Sequence, residues 1–309
     1  MVASTEGLHG RADAENLMRH RARMWGGMWG GENNPPSGAT ICCFHMARGF
    51  GGNATPCPLG RLNPTVLHGI HNVRRYPLGM KDLIAMPQSM TAMTETVVGA
   101  LAQSFETAKR HETPYRHWFV RRCLPDQVAE EITALPFPPP ALGGLSGKRE
   151  LHNATRKYFD IENRAAFPSV EAFAQAFQSR TVTRHIEQGF GTKLGGTYLR
   201  LEYAQDTGGF WLEPHTDLGV KVFTMLLYLS KDAAHRDLGT DIYDAEKKHV
   251  ARSPFEPNAA MVFVPSNNTY HGFESRNIEG VRKSVIINSV TTDWRAREQL
   301  SFPDQPIAA

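Results

Sequence analysis

Long apolar runs are missing from this 309-residue chain. No stretch approaches the roughly 18 consecutive apolar residues that a membrane span needs, so no membrane-spanning partner or anchor is expected. The opening residues, Met1 to Arg21, lack the apolar core of a secretory signal, which argues against export. Cysteine is scarce as well: Cys42, Cys43, Cys57 and Cys123 are too few for a disulfide scaffold, and none forms a C-x-x-C pair. A zinc knuckle and a thioredoxin-like motif are thereby excluded, and a reducing cytoplasm is the expected location. No basic stripe interleaved with aromatics is found. The formal net charge is only +3, and the excess sits in residues 1–79, which hold eight Arg, no Lys and four acidic residues. A nucleic-acid partner is therefore not expected, because a binder would carry its basic face on the folded part. No internal repeat is evident.

Residues 1–79 also hold 13 of the 27 glycines, with Leu, Ile, Val and Phe at only 13 positions. Such a stretch buries too little apolar surface to offset the entropy of ordering. It is read as a disordered or non-native extension, with translation starting at Met80 or Met86 as one explanation. Periodicity begins afterwards. Met90, Met93, Val97, Leu101 and Phe105 recur at the spacing of an amphipathic helix. Pro125 and Asp126 open a second helix carrying Val128, Ile132 and Leu135, ended by the proline-rich run at 136–140. A third follows Ser169 as N-cap, with Phe173 and Phe177 inward.

From Thr197 the pattern becomes β. Strands are expected over Thr197–Ala204, Val220–Leu229, Ala259–Val264 and Ser284–Val290, separated by Gly, Pro, Asn and Asp clusters. Helices first and strands afterwards suit an all-β barrel or jelly roll supported by helices, and not an alternating α/β sheet. The expected divisions are the extension 1–79, a helical support region 80–196, a β core 197–295 and a C-terminal tail 296–309.

Within the β half, Trp211 to Asp217 reads Trp-Leu-Glu-Pro-His-Thr-Asp. In an extended chain positions i and i+2 share a face, so His215 and Asp217 can present an imidazole and a carboxylate to one point. His271 follows 54 residues after Asp217, just past a strong strand. Two His and one carboxylate are the facial triad of non-haem Fe(II) oxygenases, which leaves positions open for O₂ and substrate. A His-x-Asp triplet alone is a weak signal: this composition gives about half of one by chance. A decoy occurs at His235-Arg236-Asp237, in a charged loop where a solvated surface pair is expected. Arg282 and Ser284 strengthen the first pair. They share a face at the head of a strand, and offer a guanidinium fork and a hydroxyl to a carboxylate.

Together, His215-x-Asp217, His271 and Arg282-x-Ser284 resemble the signature of the Fe(II)/2-oxoglutarate-dependent dioxygenases, in phrasing closest to their prolyl-4-hydroxylase-like branch. Leu201-Glu202-Tyr203 leads into the His-x-Asp strand. Leu238-Gly239-Thr240 is similar to the family's Gly-Gly-x-Thr turn, with Leu238 in place of the first Gly. The resemblance covers about residues 197–292. It implies a double-stranded β-helix (mainly β with N-terminal helices), with Fe(II) held by His215, Asp217 and His271. It further implies 2-oxoglutarate as co-substrate against Arg282 and Ser284, with Tyr203 hydrogen-bonded to it, and O₂ as oxidant. Ascorbate is a possible requirement in vitro. The implied reaction hydroxylates a C–H bond and releases succinate and CO₂. The Asp217 carboxylate favours hydroxylation, since halogenating relatives lack it.

Two other readings of the residues stay open at this level. A zinc hydrolase could use the same three ligands, though it gives Arg282 and Ser284 no role. A non-catalytic jelly-roll binding module leaves the triad unexplained. The substrate, a small molecule or a peptidyl group, is not identified by the sequence, and neither is the oligomeric state. His152, in the polar segment Arg149–Lys157, is the one further histidine kept as a candidate, for a lid over the site mouth. His185, His235 and His249 are read as solvated or locally bonded.

Overall fold

The computed structural model describes residues 80–140, 147, 156–217 and 219–309. Residues 1–79, His152 and most of the 149–157 segment lie outside the described residues.

Helix α1, Met80–Glu106, buries Val97, Leu101 and Phe105, one residue per turn along a single stripe. A short hairpin follows, β1 (Lys109–His111) with β2 (His117–Arg121). Helix α2, Asp126–Thr133, starts after Pro125, with Asp126 at the positive end of its dipole and Val128, Ala129 and Ile132 buried. The two-residue strand β3, Lys157–Tyr158, leads to α3, Ile161–Ala166, whose first turn is capped by the Asp160 carboxylate accepting from the Asn163 N–H.

Helix α4 spans Pro168–Gln178. Pro168 takes the first helical position, where its missing N–H costs nothing, and the expected cap Ser169 lies buried inside the first turn. Phe173 and Phe177 do point inward. Helix α5, Arg180–Phe190, is capped by the Ser179 hydroxyl and stops at Gly191, which adopts the left-handed conformation (φ 76°) that glycine takes without steric cost.

The remaining strands are β4 (Tyr198–Asp206), β5 (Leu212–His215), β6 (Lys221–Tyr228), β7 (Asp241–Tyr243), β8 (His249–Arg252), β9 (Ala259–Phe263), β10 (His271–Phe273) and β11 (Arg282–Val290). They form two antiparallel sheets. The larger runs β1-β2-β9-β6-β11-β4-β3 and the smaller β5-β10-β7-β8. The chain is thus a mixed fold of helix and antiparallel sheet in which sheet predominates. Three strands of the large sheet come from the 80–196 span, which the sequence reads as purely helical. Strands β1 and β3 are two or three polar residues long, and β2 (His-Trp-Phe-Val-Arg) is too short for its pattern to stand out.

The large sheet is buried on both faces. On β6, Phe223, Met225 and Leu227 join a core with α1, α2, α4 and α5, while Leu226 and Tyr228 join a second core with Ile242 and Phe273 of the small sheet. This two-sided burial explains why β6 reads as a continuous apolar run. The last residues are tied down too: Leu300, Phe302 and Ile307 are buried, and the Ile307 N–H donates to the Thr197 carbonyl.

Candidate metal and co-substrate site

Strands β5 and β10 are antiparallel neighbours, and their register sets His271 opposite His215 with ring centroids 4.4 Å apart. The close approach depends on Gly272. A Cβ there would lie 2.7 Å from the Leu212 carbonyl oxygen and 3.1 Å from that of Glu213, so a larger residue would push β10 off β5. Asp217 stands just past the end of β5. One ligand atom from each of His215, Asp217 and His271 falls within 4.8 Å of the others.

Both imidazoles are oriented in the same way. Nδ1 of His215 lies 2.9 Å from the Glu213 carbonyl, and Nδ1 of His271 lies 3.0 Å from that of Thr269. A carbonyl only accepts, so each Nδ1 is the donor, and Nε2 is the nitrogen that would serve as a metal ligand, the orientation found in metal-ligating histidines. The Asp217 carboxylate is buried. Its Oδ1 accepts from the Lys221 ammonium at 2.7 Å and its Oδ2 from the Thr224 hydroxyl at 2.7 Å. Two imidazoles and a buried carboxylate suit a divalent first-row metal.

The same pocket is lined at its other end by Arg282, Ser284 and Tyr228. Arg282 is buried. It donates through Nε to the Leu238 carbonyl at 2.8 Å and through Nη1 to Asp206 at 2.5 Å, and its guanidinium lies 4.8 Å from the Phe273 ring centroid. Asp206 also accepts from Arg156 at 2.6 Å; Arg156 in turn lies 3.3 Å from Glu202, which pairs with Arg200 at 2.6 Å. Among the described residues, three arginines therefore share two carboxylates in one buried row. Burial works against the charged form of Arg156, but Asp206 and Glu202 outweigh it and hold the guanidinium's pKa above its ordinary value. The Tyr228 hydroxyl donates to Thr240 at 2.9 Å and meets Ser253 at 2.6 Å.

The turn that supplies the Leu238 carbonyl needs its glycine at the second position. A Cβ on Gly239 would fall 1.7 Å from the Ser253 carbonyl oxygen. Leu238 is not among the residues with positive φ, so leucine fits there without backbone strain.

The neighbours among solved structures are 2-oxoglutarate/Fe(II) oxygenases and prolyl hydroxylases. A Pseudomonas putida prolyl-4-hydroxylase matches at 13% identity over 63% of this chain and 98% of its own, with a TM-score of 0.43. A Trichoplax adhaerens prolyl hydroxylase, in complex with a hypoxia-inducible-factor oxygen-degradation-domain peptide fragment, matches at 12% over 67% and 92%, with a TM-score of 0.43. HygX from Streptomyces hygroscopicus, with nickel and 2-oxoglutarate bound, matches at 14% over 63% and 88%, with a TM-score of 0.38. No protein-family profile matches the chain, and no curated protein matches it in sequence. At such low identity, residue roles have to rest on this chain's own geometry.

That geometry brings His215, Asp217, His271, Arg282 and Ser284 to one pocket and leaves out Tyr203. On β4 the alternation turns Glu202 and Asp206 toward the pocket and Tyr203 toward the helices, where it is buried beside Phe137 and Phe159 and donates to the Thr133 carbonyl. The expected co-substrate contact from Tyr203 is therefore corrected: its neighbour Glu202 has the pocket-facing parity. His235 is corrected as well. Its ring is buried, not solvated, with Nε2 2.7 Å from the Glu279 carbonyl, while Asp237 is exposed. A second group of possible ligands, Asp241, His249 and Glu274, also clusters within 4.8 Å. There Asp241 already accepts from Arg252 at 2.7 Å, from Arg276 at 2.6 Å and from the Glu274 N–H at 2.7 Å, so two cations occupy the place a metal would need. Arg156, Asp206, Lys221, Thr224 and Tyr228 escaped sequence reasoning. The period of two along β4 and β6 was an available signal for Asp206, Thr224 and Tyr228, but nothing local marks Arg156, which precedes β3, or Lys221, which has the other parity on β6.

Proposed function

We propose that the chain is an Fe(II)- and 2-oxoglutarate-dependent dioxygenase that hydroxylates a C–H bond of its substrate, with release of succinate and CO₂. The observation that carries this reading is the convergence of His215, Asp217 and His271, with both Nδ1 atoms tied to backbone carbonyls. The two sheets are read as the halves of a double-stranded β-helix, with residues 197–295 as its catalytic core and 80–196 as support.

His215 and His271 would hold the metal through Nε2 and Asp217 through its carboxylate. Bound iron with 2-oxoglutarate supplies O₂ activation coupled to oxidative decarboxylation. Arg282 offers a charge-assisted hydrogen bond to the distal carboxylate of 2-oxoglutarate, with Ser284 and Tyr228 as neighbouring hydroxyls. Phe210, Leu212, Leu226 and Phe273 give the pocket apolar walls that limit water around the reacting groups. The substrate is a small molecule or a peptidyl group.

Anaerobic addition of Fe(II) and then 2-oxoglutarate to the full chain tests the proposal. A weak visible absorption band near roughly 500 nm is expected from the chelated cofactor pair. A colourless mixture that also releases no succinate in air would remove this function and return the site to the zinc or binding-only readings.

A further inference from the structure

Thr224 and Asn288 face each other across the β6–β11 ladder and are both fully buried, beside the Asp217 carboxylate. The Thr224 Oγ1 lies 2.7 Å from Asp217 Oδ2 and 3.0 Å from the Asn288 side-chain oxygen as placed. A hydroxyl has one proton and cannot donate to both acceptors. The Asn288 amide nitrogen, meanwhile, has no hydrogen-bond partner among the described residues. Exchanging the amide's O and N, which are nearly indistinguishable by shape, resolves the conflict: the NH₂ then donates to Thr224 over the same 3.0 Å. It also removes a buried orphan donor, the rarer and costlier kind of unpaired group.

Resting on the metal reading above, we infer that Asn288 and Thr224 are positioning residues that form a one-way relay, Asn288 N–H to Thr224 O–H to Asp217 Oδ2, which fixes the metal-binding carboxylate. A hydroxyl that accepts one hydrogen bond becomes a stronger donor in the next. Oδ2 is thereby tied to Thr224, and Oδ1, which accepts from the Lys221 ammonium at 2.7 Å, is the oxygen a metal would take in place of that single ammonium. Along β11 the pocket-facing positions are Arg282, Ser284 and Ile286, and Asn288 continues that parity toward Asp217.

The relay makes a prediction of sign. If Asn288 donates, replacing it with leucine weakens the Thr224–Asp217 bond and lowers Fe(II) affinity. If instead the Asn288 carbonyl accepted the Thr224 proton, the same replacement would free that proton for Asp217, and affinity would hold or rise. The experiment is anaerobic calorimetric titration of Fe(II) into the full-length protein without 2-oxoglutarate, for wild type, Asn288→Leu, Thr224→Val and Thr224→Ser. Expected are affinity losses of roughly 10–100-fold in Thr224→Val and a smaller loss in Asn288→Leu, the range for partners of metal ligands. Thr224→Ser, which keeps the hydroxyl, should restore most of the affinity. A general packing role would not give this order, since valine matches threonine in shape better than serine does. Thr224→Val also keeps the inference testable if Asn288→Leu does not fold. Asn288→Leu binding Fe(II) as tightly as wild type or tighter, or Thr224→Val matching wild type, would overturn the relay alone. A wild-type protein that binds no Fe(II) would overturn the metal reading and the relay with it.

Discussion

Removing Arg282 should damage stability and co-substrate binding separately, and the structure sets the size of each effect. In Arg282→Ala, Asp206 loses one of its two guanidinium partners and the Leu238 carbonyl loses its donor. Breaking a buried ion pair costs about 3–5 kcal/mol; Asp206 keeps Arg156, so the lower end applies. At about 2–4 °C per kcal/mol for a protein of this size, the melting temperature without ligands should fall by roughly 6–12 °C. Binding loses one charge-assisted hydrogen bond of about 1.5–3 kcal/mol, which corresponds to a rise of roughly 10–150-fold in the KM for 2-oxoglutarate. Arg282→Lys keeps the charge, but its point-like ammonium cannot serve Leu238, Asp206 and a carboxylate together. It should fall between wild type and Ala on both scales. Iron affinity without 2-oxoglutarate should stay level in both variants, because Arg282 is not a ligand. The assays are thermal unfolding, succinate release against 2-oxoglutarate concentration, and an iron titration. A folded Arg282→Ala enzyme with an unaltered 2-oxoglutarate dependence would refute the assignment and leave Arg282 as a structural partner of Asp206.

Asp217→Ala should abolish turnover and weaken iron binding, since no other group in the triad offsets the metal's charge, whereas Asp237→Ala, on an exposed position, should do neither; equal activity losses would show the wrong triplet was chosen. Tyr203→Phe should leave the KM for 2-oxoglutarate unchanged and cost only about 0.5–1.5 kcal/mol in urea unfolding, the worth of its bond to the Thr133 carbonyl. A raised KM would return Tyr203 to the pocket. For Asp241, burial alone would raise the carboxyl pKa, but the Glu274 N–H, Arg252 and Arg276 outweigh it and hold the group below its ordinary value. A depressed pKa contributes stability above the unfolded value that is lost as the pH falls through the folded one. Asp241→Asn should therefore be destabilised at pH 7, with the gap to wild type closing below about pH 4; a gap that is the same at pH 7 and pH 3 would contradict this.

The proposed metal ligands were readable in the sequence because two of them are close neighbours in the chain, although Asp217 lies just past the end of β5 and not on the strand. His215 and Asp217 are two residues apart, and the apolar strand before His271 marks its place. The large strands were readable because β6 and β11 are buried on both faces and written as apolar runs. What failed was anything decided by a partner distant in sequence. Tyr203 and Glu202 are adjacent, and only the pairing of β4 with β11, over nine registered positions, fixes which one faces the pocket. His235 looked solvated because its neighbours are charged, yet a carbonyl at Glu279 draws the ring inside. The arginine row was invisible for the same cause, since Arg156, Arg200, Glu202, Asp206 and Arg282 come from three strand-forming regions.

Strand β11 links the two ends of the site. It is bonded along nearly its whole length to β4 on one side and β6 on the other, so its backbone has little freedom to shift. Its pocket-facing row begins with Arg282, at the proposed co-substrate end, and runs toward Asn288, beside Asp217, the proposed metal ligand. Six residues at about 3.3 Å each set those two Cα atoms roughly 20 Å apart. The long arginine side chain and the Asn288–Thr224–Asp217 contacts reach in from both ends to a shared pocket. A co-substrate held at one end and chelated at the other requires that spacing to stay constant, and a strand paired on both sides supplies it. The short elements β5 and β10, by contrast, sit at and next to the edge of the four-stranded sheet. They carry the histidines and depend on Gly272 and the two Nδ1–carbonyl bonds for their alignment. Disturbance of β11 should therefore affect both ends of the site together, whereas disturbance of β5 or β10 should affect the metal end first.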